Sequence, residues 1–401
     1  MRALAAALLL LAAPAAAQTP ATNTDEAKVG AYTLPPILTD AAGKPVTARD
    51  WPRRRAEILR LFEENQFGRT PAARVPVRTQ VTERDAPGLN GLARRTQAHL
   101  IVGGGAQAPV IRVVLYKPAD AKGRVPVLLH IGFSPNGPVL EDPGVEEGQG
   151  WDPKTQARIP GGQATLLKGF DPRPFLKRGL AVAHVYYGDI EPDYAWGGPK
   201  GIRAVVGGAT PSTPDGWGAI GAWSWGLSRV ADWLQAQPGI DRRRIALSGA
   251  SRLGKTVLWA AAQDPRFTLV IPLISCEGGA ALSRRNFGET IADLTDPKRY
   301  RYWFAPRYAS YAADPNSAPV DSHMLLALLA PRPVLLVNGA QDTWSDWRGE
   351  EAAADAARPV WTLLGAPGRL AIHTHPEGHT VTPADLEVMA DFMARQFGTA
   401  R

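Results

Sequence analysis

Residues 125–131, 180–187, 244–247, 269–274 and 333–337 are short, largely apolar runs that lack the polar–apolar alternation of a half-exposed strand. A strand of this kind is buried on both faces, so the chain must cover its sheet from two sides. Helical segments lie between the runs. In 217–234, Ile220, Trp223, Leu227, Val230 and Leu234 fall on one stripe, and 256–262 continues the pattern. Thr382-Pro383-Ala384-Asp385 has the form of a capping box and opens a last helix after a short strand at 369–372. Strands alternating with helices predict a mostly parallel central sheet with helices on both faces, a three-layer α/β sandwich.

Upstream of this region, Asp50-Trp51-Pro52 opens a helix carrying Ile58, Leu59, Leu61 and Phe62 and ending near Gly68. Residues 98–102 and 110–116 read as strands on either side of Gly103-Gly104-Gly105. The Gly-, Pro- and Asp-rich segment 136–169 reads as a long insertion loop. The first residues stand apart: Met1-Arg2, an apolar run over 3–13 too short to span a bilayer, then Ala15-Ala16-Ala17. This is the pattern of a secretory signal peptide over 1–17. It implies a secreted or periplasmic protein, free of the membrane after cleavage, with 18–401 left as a single domain.

Composition excludes several classes. The single cysteine, Cys276, permits neither an intrachain disulfide nor a Cys-rich zinc site. The formal net charge is +7, but the arginines are dispersed, and no long basic block or aromatic–basic repeat points to nucleic acid. Twelve tryptophans are many, and indole faces suit sugar rings, although most are expected in the core or at interfaces.

The chemistry centres on Ser248-Gly249-Ala250-Ser251-Arg252-Leu253-Gly254-Lys255, between a predicted strand and a predicted helix. That is the context of a nucleophile elbow, where a serine sits on a sharp turn with small neighbours, and it predicts an α/β-hydrolase fold. The second glycine falls one place later than in the simple G-x-S-x-G motif. A helix N-terminus under Ser251 favours a developing oxyanion. The Arg252 N–H would be one donor, its guanidinium another, and the loop around Gly132-Phe133 would supply a second backbone donor.

A serine needs a base, and in this fold the acid and then the histidine follow it in the chain. His379, in the Pro376-Glu377-Gly378-His379-Thr380 loop before the last helix, is the expected base. His375 is the fallback, His373 reads as structural, and His323 precedes the acid candidates. Asp342 follows the 333–337 strand and is the expected acid. Asp346 is its neighbouring rival, with a loop cap as the alternative role. Glu277, after the 269–274 strand, is a second possible acid. The order of reactive groups points to acyl transfer without metal or organic cofactor.

The chain also resembles the bacterial glucuronoyl esterases of carbohydrate esterase family 15. The resemblance runs from about Pro35 to the last helix. It rests on 217–223, on Ser251-Arg252-Leu253-Gly254-Lys255, on 278–285 with Gly288-Glu289, on Trp303-Phe304, on Asp321-Ser322-His323 before 330–333, and on Asp342-Thr343-Trp344. It implies hydrolysis of esters between 4-O-methyl-glucuronic acid of xylan and lignin alcohols. Ser251 is implied as nucleophile, His379 as base and Arg252 as the oxyanion-binding arginine, with Lys255, Glu289 and Trp344 holding the uronic sugar. The expected partners are glucuronoxylan and lignin–carbohydrate esters, acted on by a monomer. Many members carry a catalytic glutamate where this chain has Ile274, which moves the acid to Asp342. Fungal members have a cysteine where this chain has Ala250. An acetyl-xylan or broad carboxyl esterase would keep the same triad, and a non-catalytic polysaccharide-binding protein is the alternative from another class.

Overall fold

The computed structural model describes residues 22–161 and 170–399. The proposed signal peptide lies outside them, as does the end of the predicted insertion. Nine strands form the main sheet: β1 (Val77–Gly88), β2 (Ala93–Val102), β3 (Val110–Pro118), β4 (Val125–Gly132), β7 (Ala181–Tyr186), β8 (Ile240–Ala250), β9 (Phe267–Leu273), β10 (Val334–Gly339) and β11 (Leu370–His375). Their order is β1-β2-β3-β7-β4-β8-β9-β10-β11. Pairing is antiparallel from β1 to β7 and parallel from β7 to β11. This is the α/β-hydrolase fold expected from the elbow. The strands β7 and β10 are buried at every position, as their largely apolar runs require.

The longer helices are α1 (Trp51–Asn65), α2 (Ala219–Gln235), α3 (Arg252–Gln263), α4 (Trp347–Leu363) and α5 (Pro383–Phe397). The α2 stripe of Ile220, Trp223, Leu227, Val230 and Leu234 is fully buried. Trp217, Trp223, Trp259 and Trp361 are among the largest fully buried side chains, whereas Trp196 is 70% exposed. Thr382 and Asp385 cap α5 reciprocally, as the sequence pattern predicts.

Two differences from the sequence reading have local causes. Strand β1 carries no apolar run to announce it, because it is an edge strand with mostly exposed or half-exposed side chains. The segment read as an insertion loop carries regular elements in its described part. It holds a short helix (Asn136–Leu140) and a hairpin of β5 (Gln149–Asp152) and β6 (Ala157–Pro160). Trp151 Nε1 on β5 donates to the Gly188 carbonyl (2.8 Å), and Arg158 on β6 pairs with the buried Asp189 at 2.9 Å. Among the described residues, no helix is long and apolar enough to cross a membrane.

Candidate active site

Four adjacent parallel strands bring the predicted groups to one sheet edge. Ser251 follows β8, the segment 274–289 follows β9, Asp342 follows β10 and His379 follows β11. Side chains at the carboxyl ends of neighbouring parallel strands share one crevice.

Ser251 adopts φ 55° and ψ −124°, a sparsely populated region for a residue with a side chain. The surroundings hold it there. Its N–H donates to the Leu273 carbonyl (2.8 Å), and its own carbonyl accepts from Gly254 N (2.8 Å) and Lys255 N (3.2 Å), starting α3. The displaced glycine of the motif also has a physical reason. A Cβ on Gly254 would lie 2.8 Å from the Ser275 Cβ and 3.0 Å from the Leu273 carbonyl oxygen, so α3 packs on the end of β9 only with glycine at that place.

The loops after β10 and β11 are stitched together by the bonds Ala340 N to His375 O (2.8 Å) and Gln341 N to Glu377 O (3.0 Å). They approach so closely that a Cβ on Gly339 would lie 2.3 Å from the Gly378 carbonyl oxygen. Across this junction His379 Nδ1 lies 2.5 Å from Asp342 Oδ2. The other carboxylate oxygen, Oδ1, accepts from Trp344 N (3.1 Å) and Ser345 N (3.0 Å), and the Ser345 hydroxyl donates to Oδ2. Burial opposes ionisation of Asp342. The His379 bond and charge and the Ser345 donors outweigh it, and the carboxyl is held below its usual range. An ionised carboxylate accepts the proton of Nδ1, which leaves Nε2 as the acceptor nitrogen of His379.

The rival acids have other partners. Asp346 caps α4 through Gly349 N (3.1 Å) and pairs with Arg285 at 2.9 Å. Glu277 Oε1 accepts from Tyr308 and Ser283, each at 2.7 Å. Neither hydrogen-bonds to a histidine. Of the other late histidines, His373 Nε2 contacts Asp385 (3.0 Å) and His375 Nδ1 contacts Glu377 (2.9 Å).

Burial pushes the Glu277 carboxyl up to about 8. A carboxyl raised on folding holds its proton where the unfolded chain has lost it, so its contribution is full below the unfolded value and disappears as pH rises through about 8. Within that window each such group costs about 1 kcal/mol of stability per pH unit. Glu277→Gln is therefore expected to flatten the fall in melting temperature between pH 5 and 8, roughly that window. Scanning calorimetry of both proteins across the range checks this, and an unchanged slope contradicts it.

Lys255, Glu289 and Trp344 are far apart in sequence and joined in space. Lys255 is buried; its Nζ donates to Glu289 Oε2 (3.1 Å) and the Ser275 carbonyl (2.9 Å). Burial disfavours the ammonium, but the surrounding acidic groups, Glu289 first among them, outweigh it and hold the Lys255 pKa above its ordinary value. Trp344 Nε1 donates to Glu289 Oε1 (3.2 Å), and Arg299 lies 5.3 Å from the half-buried Trp344 ring. An ammonium has three donors, so one remains for another acceptor.

Arg252 lies within 5.9 Å of the ring centroids of Phe133, Tyr300 and Trp303, and its Nη1 donates to Asp193 at 2.6 Å. Asp193 and Ser345 are groups the sequence reading did not single out. The Asx-turn bond of Asp342 goes to Trp344 N, two residues on, and Ser345 is the residue that follows it. Asp193 has no such signal.

A family model described as glucuronyl esterase, fungi, matches residues 213–365, the stretch that carries the elbow and the acid loop. A curated relative from an unknown prokaryotic organism, carbohydrate esterase MZ0003, is 36% identical over 92% of this chain and 91% of its own. The solved glucuronoyl esterase from Solibacter usitatus is 38% identical with a TM-score of 0.85, covering 93% of this chain and 100% of that one. The chain belongs to carbohydrate esterase family 15. As a glucuronoyl esterase of that family it is a carboxylic ester hydrolase. A relative from Podospora anserina, named 4-O-methyl-glucuronoyl methylesterase, is 36% identical over 157 residues, 37% of this chain and 33% of its own. The shifted Gly254 and the cluster of Lys255, Glu289 and Trp344 lie in the parts of the chain that resemble the family.

Proposed function

We propose that this glucuronoyl esterase is exported and cleaves esters joining 4-O-methyl-glucuronic acid of xylan to lignin alcohols, through an acyl-enzyme on Ser251. His379, oriented by Asp342, takes the Ser251 proton through Nε2 as the oxygen attacks the ester carbonyl. Negative charge develops on the carbonyl oxygen, where the Arg252 N–H and guanidinium stabilise it. The alcohol leaves with the proton held by His379. Water, activated by His379, then cleaves the glucuronoyl–Ser251 ester and restores the enzyme.

The observation that carries this reading is the hydrogen-bonded group of Lys255, Glu289 and Trp344, which begins one helical turn beyond Ser251. A sugar ring needs polar partners for its hydroxyls and a flat apolar face, and this group offers both. The names of the relatives support the same substrate class. Trp344→Ala tests it. The substitution is expected to raise KM for benzyl glucuronate about tenfold, the loss of roughly 1.4 kcal/mol of ring contact, and to leave aryl acetate turnover nearly unchanged. Equal effects on both esters would favour a broad carboxyl or acetyl-xylan esterase.

A further inference from the structure

Asp193 lies in the loop after β7, and its carboxylate is only 6% exposed. Four donors from three segments reach it. Oδ2 accepts from Arg252 Nη1 (2.6 Å) and Tyr187 Oη (3.0 Å), while Oδ1 accepts from Tyr302 Oη (2.6 Å) and Trp303 Nε1 (2.7 Å). A carboxylate has about four lone-pair sites, so this one is saturated and cannot turn without breaking bonds. Arg252 is held as firmly on its faces. Its guanidinium carbon lies 4.8 Å from the Trp303 ring centroid and 5.4 Å from that of Phe133. Of the five guanidinium N–H donors, one on Nη1 is taken by Asp193, and Nε is buried without a hydrogen-bond partner. A buried N–H without an acceptor is costly, and an acceptor that forms only during the reaction would satisfy it.

We propose that Asp193 is a positioning residue that aims the Arg252 guanidinium at the oxyanion. The inference rests on the reading of Arg252 as an oxyanion donor. Asp193 acts in two ways. It supplies the counter-charge that lets a largely desolvated cation stay in place, and it fixes one edge of a planar fork so that the remaining donors point in one direction. Preorganised donors need no reorientation when charge develops, which is where their catalytic advantage lies.

The test is a double-mutant cycle on the full chain. In Asp193→Asn the retained oxygen still accepts from Tyr302 and Trp303, whereas the new amide sets a donor against Arg252. Its kcat on benzyl glucuronate is expected to fall about 10²-fold, the scale of one lost oxyanion donor, with KM nearly unchanged. In an Arg252→Ala background the same substitution should cost less than about threefold, because the two residues act as a unit. Thermal melts establish that the variants are folded. Should the asparagine variant not fold, Asp193→Glu keeps the charge while displacing it, and the same coupling to Arg252 is expected.

An equal loss of kcat in both backgrounds overturns the proposal, as does wild-type kcat in a folded Asp193→Asn protein. Full activity in Arg252→Ala alone removes its foundation. A wild-type enzyme active only on aryl acetate would contradict the substrate reading instead. The cycle run on the acetate would still decide the role of Asp193, because attack on either ester develops its oxyanion against the same donors.

Discussion

Ser251→Ala is expected to lower kcat on benzyl glucuronate by about 10⁶-fold while the protein keeps its fold. The turn does not depend on the hydroxyl. It is held by the Ser251 N–H on the Leu273 carbonyl and by the close packing of Gly254, and alanine preserves both. What disappears is the only oxygen on the turn that can be acylated. Any activity left would come from substrate binding and the oxyanion donors, which by themselves still give roughly 10³–10⁴-fold over water in such triads. Steady-state kinetics with a thermal melt of the same preparation checks this. A folded variant with wild-type turnover would remove Ser251 from the mechanism.

The second large effect separates the acid candidates. Asp342→Asn is expected to lower kcat about 10⁴-fold. Its amide would present a donor to His379 Nδ1, where the carboxylate now accepts at 2.5 Å. The imidazole would respond by carrying its proton on Nε2, the nitrogen that must accept from Ser251. Asp346→Asn and Glu277→Gln should stay within a few-fold of wild type, because their partners are Arg285 and the α4 N-terminus in one case and Tyr308 and Ser283 in the other. A larger loss at Glu277 than at Asp342 would reverse the assignment.

How much of this was legible in the sequence follows from the kind of signal each part leaves. The central strands are buried on both faces and therefore carry largely apolar runs, so most of β4, β7, β9 and β10 could be placed to within a few residues. Strand β8 begins before the 244–247 run because its first residues, 240–243, include polar and exposed side chains that break the pattern. Edge strand β1 faces solvent and left no run at all. The elbow could be placed because a serine at positive φ on a strand–helix turn demands small neighbours, a requirement written into adjacent residues. The joining of Lys255, Glu289 and Trp344 came only through family resemblance, since nothing in their spacing foretells that three segments meet. Asp193 was invisible for the same reason. Its four partners come from Tyr187, Arg252 and the 302–303 turn, and no local pattern encodes such a convergence.

The most direct test of the account is the hydrolysis of a benzyl ester of glucuronic acid against that of an aryl acetate, by wild type and by Ser251→Ala. Wild-type kcat/KM is expected to be about 10²-fold or more higher on the uronate ester, as when a site hydrogen-bonds one substrate and not its competitor, and this activity is expected to fall about 10⁶-fold in the variant. Good acetate turnover with no uronate activity would contradict the assigned substrate, and uronate activity surviving in Ser251→Ala would contradict the mechanism.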